Sequence, residues 1–303
     1  MIRKFSACLC GALALVGVPA LAQQPTLADR LAAETQRSLE ELGHRFDGVV
    51  GVYAKGLRSG RSFSLQPDAV FPQASSIKIP ILLALLEQAQ QGRLRLEERV
   101  AIHQQARVGG SGVLQDFSDG GSEISLHDLA VLMIVLSDNT ATNLLLDRIG
   151  LDAVNAFLRR QGLAQTQLQR RMMDTEAEHS GRENLATPRE MALLLEQLYR
   201  GQILDGRHTE LALRILEADK ATPLRAGIPA GIAVADKPGA LSGVRCDSGL
   251  VLLADEPYVV AIMTTYNRDD AAAEQLITNI SRLLFEFYSR LAASNAYGVR
   301  LHP

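Results

Sequence analysis

Strand-like segments occur only near the two ends of this chain, and everything between them reads as helix or loop. Val49 to Ala54 has strand character, Gly56-Leu57-Arg58-Ser59-Gly60 makes a turn, and Ser62 to Leu65 returns as a hairpin. Near the other end, Gly231 to Ala235, Ser248 to Leu253 and Tyr258 to Thr265 read as three further strands. Between these groups lie helical stretches: from Ser75 to near Gly92, Ser125 to Leu136, Thr140 to Ile149, Asp152 to Gln161, Pro188 to Tyr199 and Arg207 to Ala218. Ser125 is a natural N-cap, and Gly150 and Gly162 are natural stops. Helices from Thr26 to Gly43 and Asp270 to Ala293 flank the whole. The economical architecture is α+β: an antiparallel sheet built from both termini, flanked by the N- and C-terminal helices, with an all-helical domain inserted. The expected boundaries are 23–68 and 213–303 for the sheet domain and 69–212 for the helical one.

Residues 1–22 are set apart from that fold. Arg3 and Lys4 precede an apolar stretch from Ala7 to Val18, and Ala20-Leu21-Ala22 is an A-x-A cleavage site, the pattern of a secretory signal peptide. The expected location is therefore secreted, in the periplasm, with no membrane anchor after cleavage. Cys8 and Cys10 leave with the signal, so Cys246 has no partner for an internal disulfide and reads as an inert thiol.

A net charge of −3 over 303 residues, with no Trp and 5% aromatics, argues against a nucleic-acid partner. The balance of cations is more informative. The chain has 26 Arg but only five Lys: Lys4, Lys55, Lys78, Lys220 and Lys237. Arg stays protonated under all ordinary conditions, whereas a Lys can be tuned to lose its proton. A Lys kept in such a chain is a candidate for proton chemistry.

Two of these lysines fall in short patterns. Ser75-Ser76-Ile77-Lys78 is an S-x-x-K at a helix start, which places a hydroxyl and an amine on one face of the first turn. A Ser hydroxyl needs a base to become a nucleophile. Burial, a nearby cation and the helix N-terminus would all lower the proton affinity of the amine. Ser137-Asp138-Asn139 lies in a tight loop between two helices, and Lys237-Pro238-Gly239 ends a strand. Each pattern alone has a plain structural reading as a helix start, an N-cap or a turn. Together, in this order, they match the S-x-x-K, S-D-N and K-T-G set of class A β-lactamases and penicillin-binding proteins.

On those residues the chain resembles a class A serine β-lactamase over nearly its whole mature length. The resemblance implies that Ser75 is the acylated nucleophile, Lys78 its general base, and Ser137, helped by Lys237, the proton donor to the leaving nitrogen. Asn139, Gly239, Ala240 and Arg245 would bind substrate. Asn139 would hold the side-chain amide, the N–H groups of Ser75 and Ala240 would form the oxyanion hole, and Arg245 would meet a carboxylate. Asp138 reads as structural. The implied substrate is a small β-lactam or a peptidoglycan-like molecule, handled by a monomer with no metal and no cofactor. The six His show no metal-ligand spacing, and Gly109-Gly110-Ser111-Gly112, with no Lys after it, reads as a rim of the site.

Two positions depart from the pattern. Pro238 stands where a Thr or Ser hydroxyl would help bind the substrate carboxylate, which implies weaker carboxylate binding without a broken strand. In the polar loop from Gln165 to Thr187, the expected R-x-E-x-x-x-N becomes Arg170-Arg171-Met172-Met173-Asp174-Thr175-Glu176. Met172 or Met173 takes the place of the Glu that activates the deacylating water, and Asn184 takes that of the Asp closing the loop. Asp174 and Glu176 are the carboxylates left to reach that water by another path. The reading is acylation by β-lactams with slow or narrow hydrolysis. The alternatives are a penicillin-binding D,D-peptidase and a binding protein without turnover.

Overall fold

The computed structural model describes residues 1–2 and 24–301. The signal peptide and its cleavage site therefore lie outside the described residues, Met1 and Ile2 aside.

Helix α1 (Leu27–His44) opens on a capping box, with the Thr26 hydroxyl accepting from the Asp29 N–H and the Asp29 carboxylate accepting from the Thr26 N–H. Strands β1 (Val49–Gly56) and β2 (Ser62–Leu65) follow as the expected hairpin, and β3 (Phe71–Pro72) leads to a short 3₁₀ turn, Ala74–Ile77. Helix α2 (Lys78–Gln90) is buried all round from Lys78 to Glu87, as its unbroken apolar sequence requires. A small ribbon of β4 (Arg99–Ala101) and β5 (Glu123–Ser125) precedes α3 (Leu126–Val135), α4 (Asn139–Ile149) and α5 (Leu151–Arg160). The polar loop holds α6 (Thr175–His179) and β6 (Leu185–Ala186), which pairs with β3. Helices α7 (Pro188–Tyr199), α8 (Gly206–Glu217) and α9 (Pro223–Ala226) return the chain to the sheet. Strands β7 (Val234–Leu241), β8 (Val244–Val251) and β9 (Tyr258–Thr265) and helix α10 (Asp270–Ala292) complete it.

The main sheet is five-stranded and antiparallel in the order β2-β1-β9-β8-β7, so the two ends of the chain meet at β1 and β9. Strand β9 explains its own composition. Tyr258, Val260 and Ile262 face α1 and α10, whereas Val259, Ala261 and Met263 face the helices of the middle segment. Both faces are covered, so the strand is apolar throughout instead of alternating.

The third and fourth expected strands need correction. Strand β7 runs to Leu241 and β8 starts at Val244, so Lys237-Pro238-Gly239 lies inside β7 and not at a strand end. The turn is Ser242-Gly243, where Gly243 takes a φ of 72°. Pro-Gly suggested a turn locally, but β7 is the sheet's edge, where Pro can be accommodated.

Candidate active site

The site forms where the turn before α2, the α3–α4 junction and the edge strand β7 converge. Ser75 sits on the 3₁₀ turn, and the α-helix proper begins at Lys78. Ala74 has a φ of 44°, an uncommon value outside glycine. Three long-range bonds fix this turn. The Gln73 N–H donates to the Asn184 carbonyl at 2.7 Å, the Cys246 thiol donates to the Gln73 carbonyl at 3.0 Å, and the Ser76 hydroxyl donates to the Lys237 carbonyl at 2.9 Å. Gly239 permits the contact. A Cβ there would lie 2.5 Å from the Gln73 carbonyl oxygen and 2.9 Å from the Ser76 nitrogen. Only a residue without a side chain lets β7 lie this close to the Ser75 turn.

Lys78 is fully buried, and its Nζ donates to the Ser137 carbonyl (2.7 Å), the Ser137 Oγ (3.1 Å) and the Asn139 Oδ1 (2.9 Å). Three acceptors match the three N–H groups of an ammonium. Burial first, and the Lys237 charge second, hold its proton affinity well below that of an ordinary lysine, against the opposing pull of Asp138. The amine is thus poised to become neutral, the state a base requires.

Ser137 presents itself from a φ of 53°. The strain is supported next door: Asp138 caps α4 through Ala141 N–H (2.8 Å) and receives the N–H groups of Val113 (2.7 Å) and Leu114 (2.9 Å). Its reading as structural agrees with this placement. The Gly109–Gly112 segment is drawn in, with Asn139 donating from its N–H to the Ser111 carbonyl and from its Nδ2 to the Gly109 carbonyl, both at 3.0 Å. Gly112 is required, because a Cβ would lie 2.2 Å from the Asp138 carboxylate.

Lys237 is 1% exposed and donates to the Pro238 carbonyl at 2.8 Å. Burial brings its pKa down to about 8, with Asp247 pulling upward and Lys220 pushing further down. The Leu252 N–H donates to the Ala233 carbonyl, and hydrogen-bonded pairs recur at every second residue of an antiparallel ladder. By that alternation, with the observed register, Lys237 and Gly239 pair with β8, while the backbones of Pro238 and Ala240 face the free edge. The missing N–H of Pro238 therefore costs no ladder bond. A cavity of about 280 Å³ opens here, lined by Ser75, Ser111, Ser137, Lys237, Ala240 and Arg245 among others.

Arg245 reaches this cavity with its charge already engaged. Its Nε donates to Glu274 at 2.8 Å, Nη1 to the Leu241 (2.8 Å) and Val244 (2.9 Å) carbonyls, and Nη2 lies 3.2 Å from Asp270. Nothing in the sequence pattern marked Glu274 or Asp270 as partners of the site. Cys246 is buried between β7 and the Ser75 turn, and desolvation pushes its thiol up to about 12, far from a thiolate.

The polar loop is closed at Asn184, as expected, with an ion pair that the pattern did not mark. Asn184 accepts from the N–H groups of Gln169 (2.8 Å) and Arg170 (3.0 Å) and donates to the Arg170 carbonyl (3.2 Å), while the buried Arg170 guanidinium pairs with Glu183 (3.1 Å) and Glu178 (3.8 Å). Asn143 on α4 grips Met172 at both its N–H and its carbonyl. A second cavity, of about 310 Å³, is lined by Ser75, Asn139, Met172, Met173, Glu178 and Glu183 among others. Asp174 instead caps α6 through the Ala177 N–H at 2.9 Å, and Glu176 is exposed. Neither belongs to the lining of that cavity, so the path once open to them is not the one the loop takes.

The arrangement joins a hydroxyl on a rigid turn, an amine able to be neutral, a second hydroxyl bonded to that amine, and an edge strand offering backbone donors. A family model described as Beta-lactamase enzyme family matches residues 34–288. The imipenem-hydrolyzing beta-lactamase of Enterobacter cloacae is 30% identical over 257 residues, which cover 82% of this chain and 87% of that relative. Among solved structures, the L158E mutant of PBP-A, an acyl-enzyme complex with penicillin-G, matches with a TM-score of 0.79 and 31% identity over 85% of this chain and 97% of that one. A beta-lactamase from Sphaerobacter thermophilus matches with a TM-score of 0.76 and 33% identity, over 86% and 97%.

Proposed function

Because this chain belongs to the class A serine β-lactamase family, we propose that it hydrolyses the β-lactam amide through an acyl-enzyme on Ser75, with slow deacylation. The observation that carries the reading is the contact of Lys78 Nζ with Ser137 Oγ at 3.1 Å, one turn from Ser75. Neutral Lys78 takes the Ser75 proton as Oγ attacks the carbonyl carbon. The resulting oxyanion is received by the N–H groups of Ser75 and Ala240. The C–N bond breaks, and the nitrogen takes the Ser137 proton. Lys78, now an ammonium, replaces it across the existing contact, which returns both groups to their starting state. Lys237 supports that transfer, Asn139 holds the substrate's side-chain amide, and Arg245 and Gly239 border the ring.

Hydrolysis of the ester needs a water with a base beside it. Met172 occupies the clamp on α4 where the family pattern expects a carboxylate, and a thioether takes no proton. Acylation is thereby separated from turnover. A D,D-peptidase or a single-turnover binder would use the same acylation parts, and the likeness to PBP-A favours keeping that second reading. Intact-mass measurement after penicillin treatment tests the first step: an adduct on Ser75 is expected, and no adduct with no loss of drug would overturn the proposal. Steady turnover of a chromogenic cephalosporin supports the lactamase, whereas release of D-Ala from a stem peptide supports the peptidase.

Export by residues 1–22 into the periplasm, followed by action as a soluble monomer, completes the reading. Among the described residues, no helix is long and apolar enough to cross a membrane.

A further inference from the structure

Behind strand β7, on the side away from the nucleophile turn, lies a second group of buried charges. Lys220, in the segment joining α8 to α9, has a side chain 6% exposed. Its Nζ donates to the Leu216 carbonyl and to the Ala218 carbonyl (3.1 Å) and lies 3.3 Å from Asp236 Oδ1. Asp236 is fully buried and immediately precedes Lys237. It already accepts from Thr222 Oγ1 at 2.6 Å and from Arg225 Nε at 2.8 Å.

That inventory is one cation richer than structure requires. Thr222 and Arg225 already bond both carboxylate oxygens of Asp236. Burying a further ammonium costs desolvation, and burial is the first cause of Lys220's own lowered proton affinity. This chain otherwise uses Arg for cations, so a buried Lys here is an exception within an exception. The groups around Lys237 are Asp236 on its own strand, Asp247 and Cys246 on β8, Lys78 on α2, and Lys220 and Arg225 behind. Asp247 is buried, its Oδ1 has no partner among the described residues, and desolvation with Asp236 nearby holds its carboxyl well above the usual range. Asp247 still pulls the Lys237 proton affinity upward, and the Lys220 charge opposes that pull from behind β7.

We propose that Lys220 is a positioning residue for the reaction: its buried ammonium, anchored on Asp236 behind β7, repels the Lys237 ammonium and so sets the pH range over which Lys237 carries the charge that supports Ser137. The inference rests on the role given to Lys237 above. Removing the charge of Lys220 deletes a repulsion and also leaves Asp236 less neutralised. Both changes raise the proton affinity of Lys237.

The small number of lysines makes this measurable. In protein labelled with ¹³C-lysine, the chain gives at most five ε-carbon signals, and the Lys237 signal is followed against pH without substrate. Its midpoint is expected to rise by roughly half a pH unit or more in Lys220→Met and to stay in place in Lys220→Arg. The alkaline limb of the Ser75 acylation rate moves upward with it. A folded Lys220→Met protein with an unmoved Lys237 midpoint overturns the proposal. Should Lys220→Met not fold, the unmutated protein decides: a second inflection of the Lys237 signal at the midpoint of the Lys220 signal supports it, and no inflection at that midpoint overturns it. The titration needs no activity, so absence of acylation would sink the functional reading and leave this result standing.

Discussion

The side chain of Asn143 holds the backbone of Met172 at both ends, accepting from its N–H and donating to its carbonyl at 3.0 Å each. The clamp fixes Met172 over α4, and Met172 and Met173 both border the cavity that contains Ser75. Met173 follows at a φ of 62° and is 45% exposed.

Placing a carboxylate at that clamp should therefore restore water activation. Met172→Glu is expected to raise the steady turnover of a penicillin at least ~10-fold, toward the lower range of a general base, with the acylation rate little changed. Asp174→Asn and Glu176→Gln should leave turnover as it is. Single-turnover acylation compared with steady-state hydrolysis separates the two steps.

Lys78→Arg keeps the charge and loses the proton chemistry, because a guanidinium does not become neutral. Acylation of Ser75 is expected to fall by ~100-fold or more, within the usual share of a general base. Intact-mass time courses check this, and a variant acylating at the unmutated rate would remove Lys78 from its role.

Lys237 ties stability to pH. Its folded pKa of about 8 lies below that of an unfolded lysine. Between the two values the unfolded chain binds more protons, so this group's contribution to stability rises with pH from about 8 to about 10.5 and is smallest below that window. The buried Cys246, Tyr258 and Tyr288 act the opposite way at alkaline pH, since burial raises their folded values. The clean measurement is thus a difference. The stability of the unmutated protein minus that of Lys237→Met, from urea unfolding, should grow by about 1.4 kcal/mol per pH unit inside the window.

Arg245 is shared between Glu274 and Asp270 before any substrate arrives. With Pro238 offering no hydroxyl, the carboxylate of a β-lactam meets weak recognition. Glu274→Gln is expected to lower the KM for penicillins a few-fold, about the worth of one exposed charge pair, with little change in kcat. A penicillin methyl ester should show no such gain.

Gly239→Ala places a methyl group against the Gln73 carbonyl and the Ser76 nitrogen. Strand β7 must then move away from the nucleophile turn. Stability should drop by about 1–3 kcal/mol, as for other overpacked sites, and Ser75 acylation should slow more than ~10-fold. Thermal melting and the mass assay report the two effects separately.

Much of this molecule is legible in one dimension because its signals are local. The S-x-x-K spacing, the Asp138 cap and the apolar run of β9 each state their requirement within a few residues. Where a local signal competed with a distant partner, the reading slipped. Pro238-Gly239 suggested a strand end, but the edge position beside the Ser75 turn keeps both residues inside β7. The closing Asn184 was placed correctly, yet the charge on Arg170 is met by Glu183 and Glu178, which no spacing rule singled out.

The sequence by itself determined the candidate groups and their order along the chain: a hydroxyl with an amine one turn away, a second hydroxyl between two helices and an amine on a strand. The tertiary structure decided their electrical states and what lies beside them. Burial against Ser137 and Asn139 lowers the proton affinity of Lys78. Lys220 is brought behind Lys237, Glu274 against Arg245, and Met172 over α4, by contacts between residues far apart in the chain. Proton affinity depends on desolvation and on charges in space, and neither is fixed until the sheet closes around the helices.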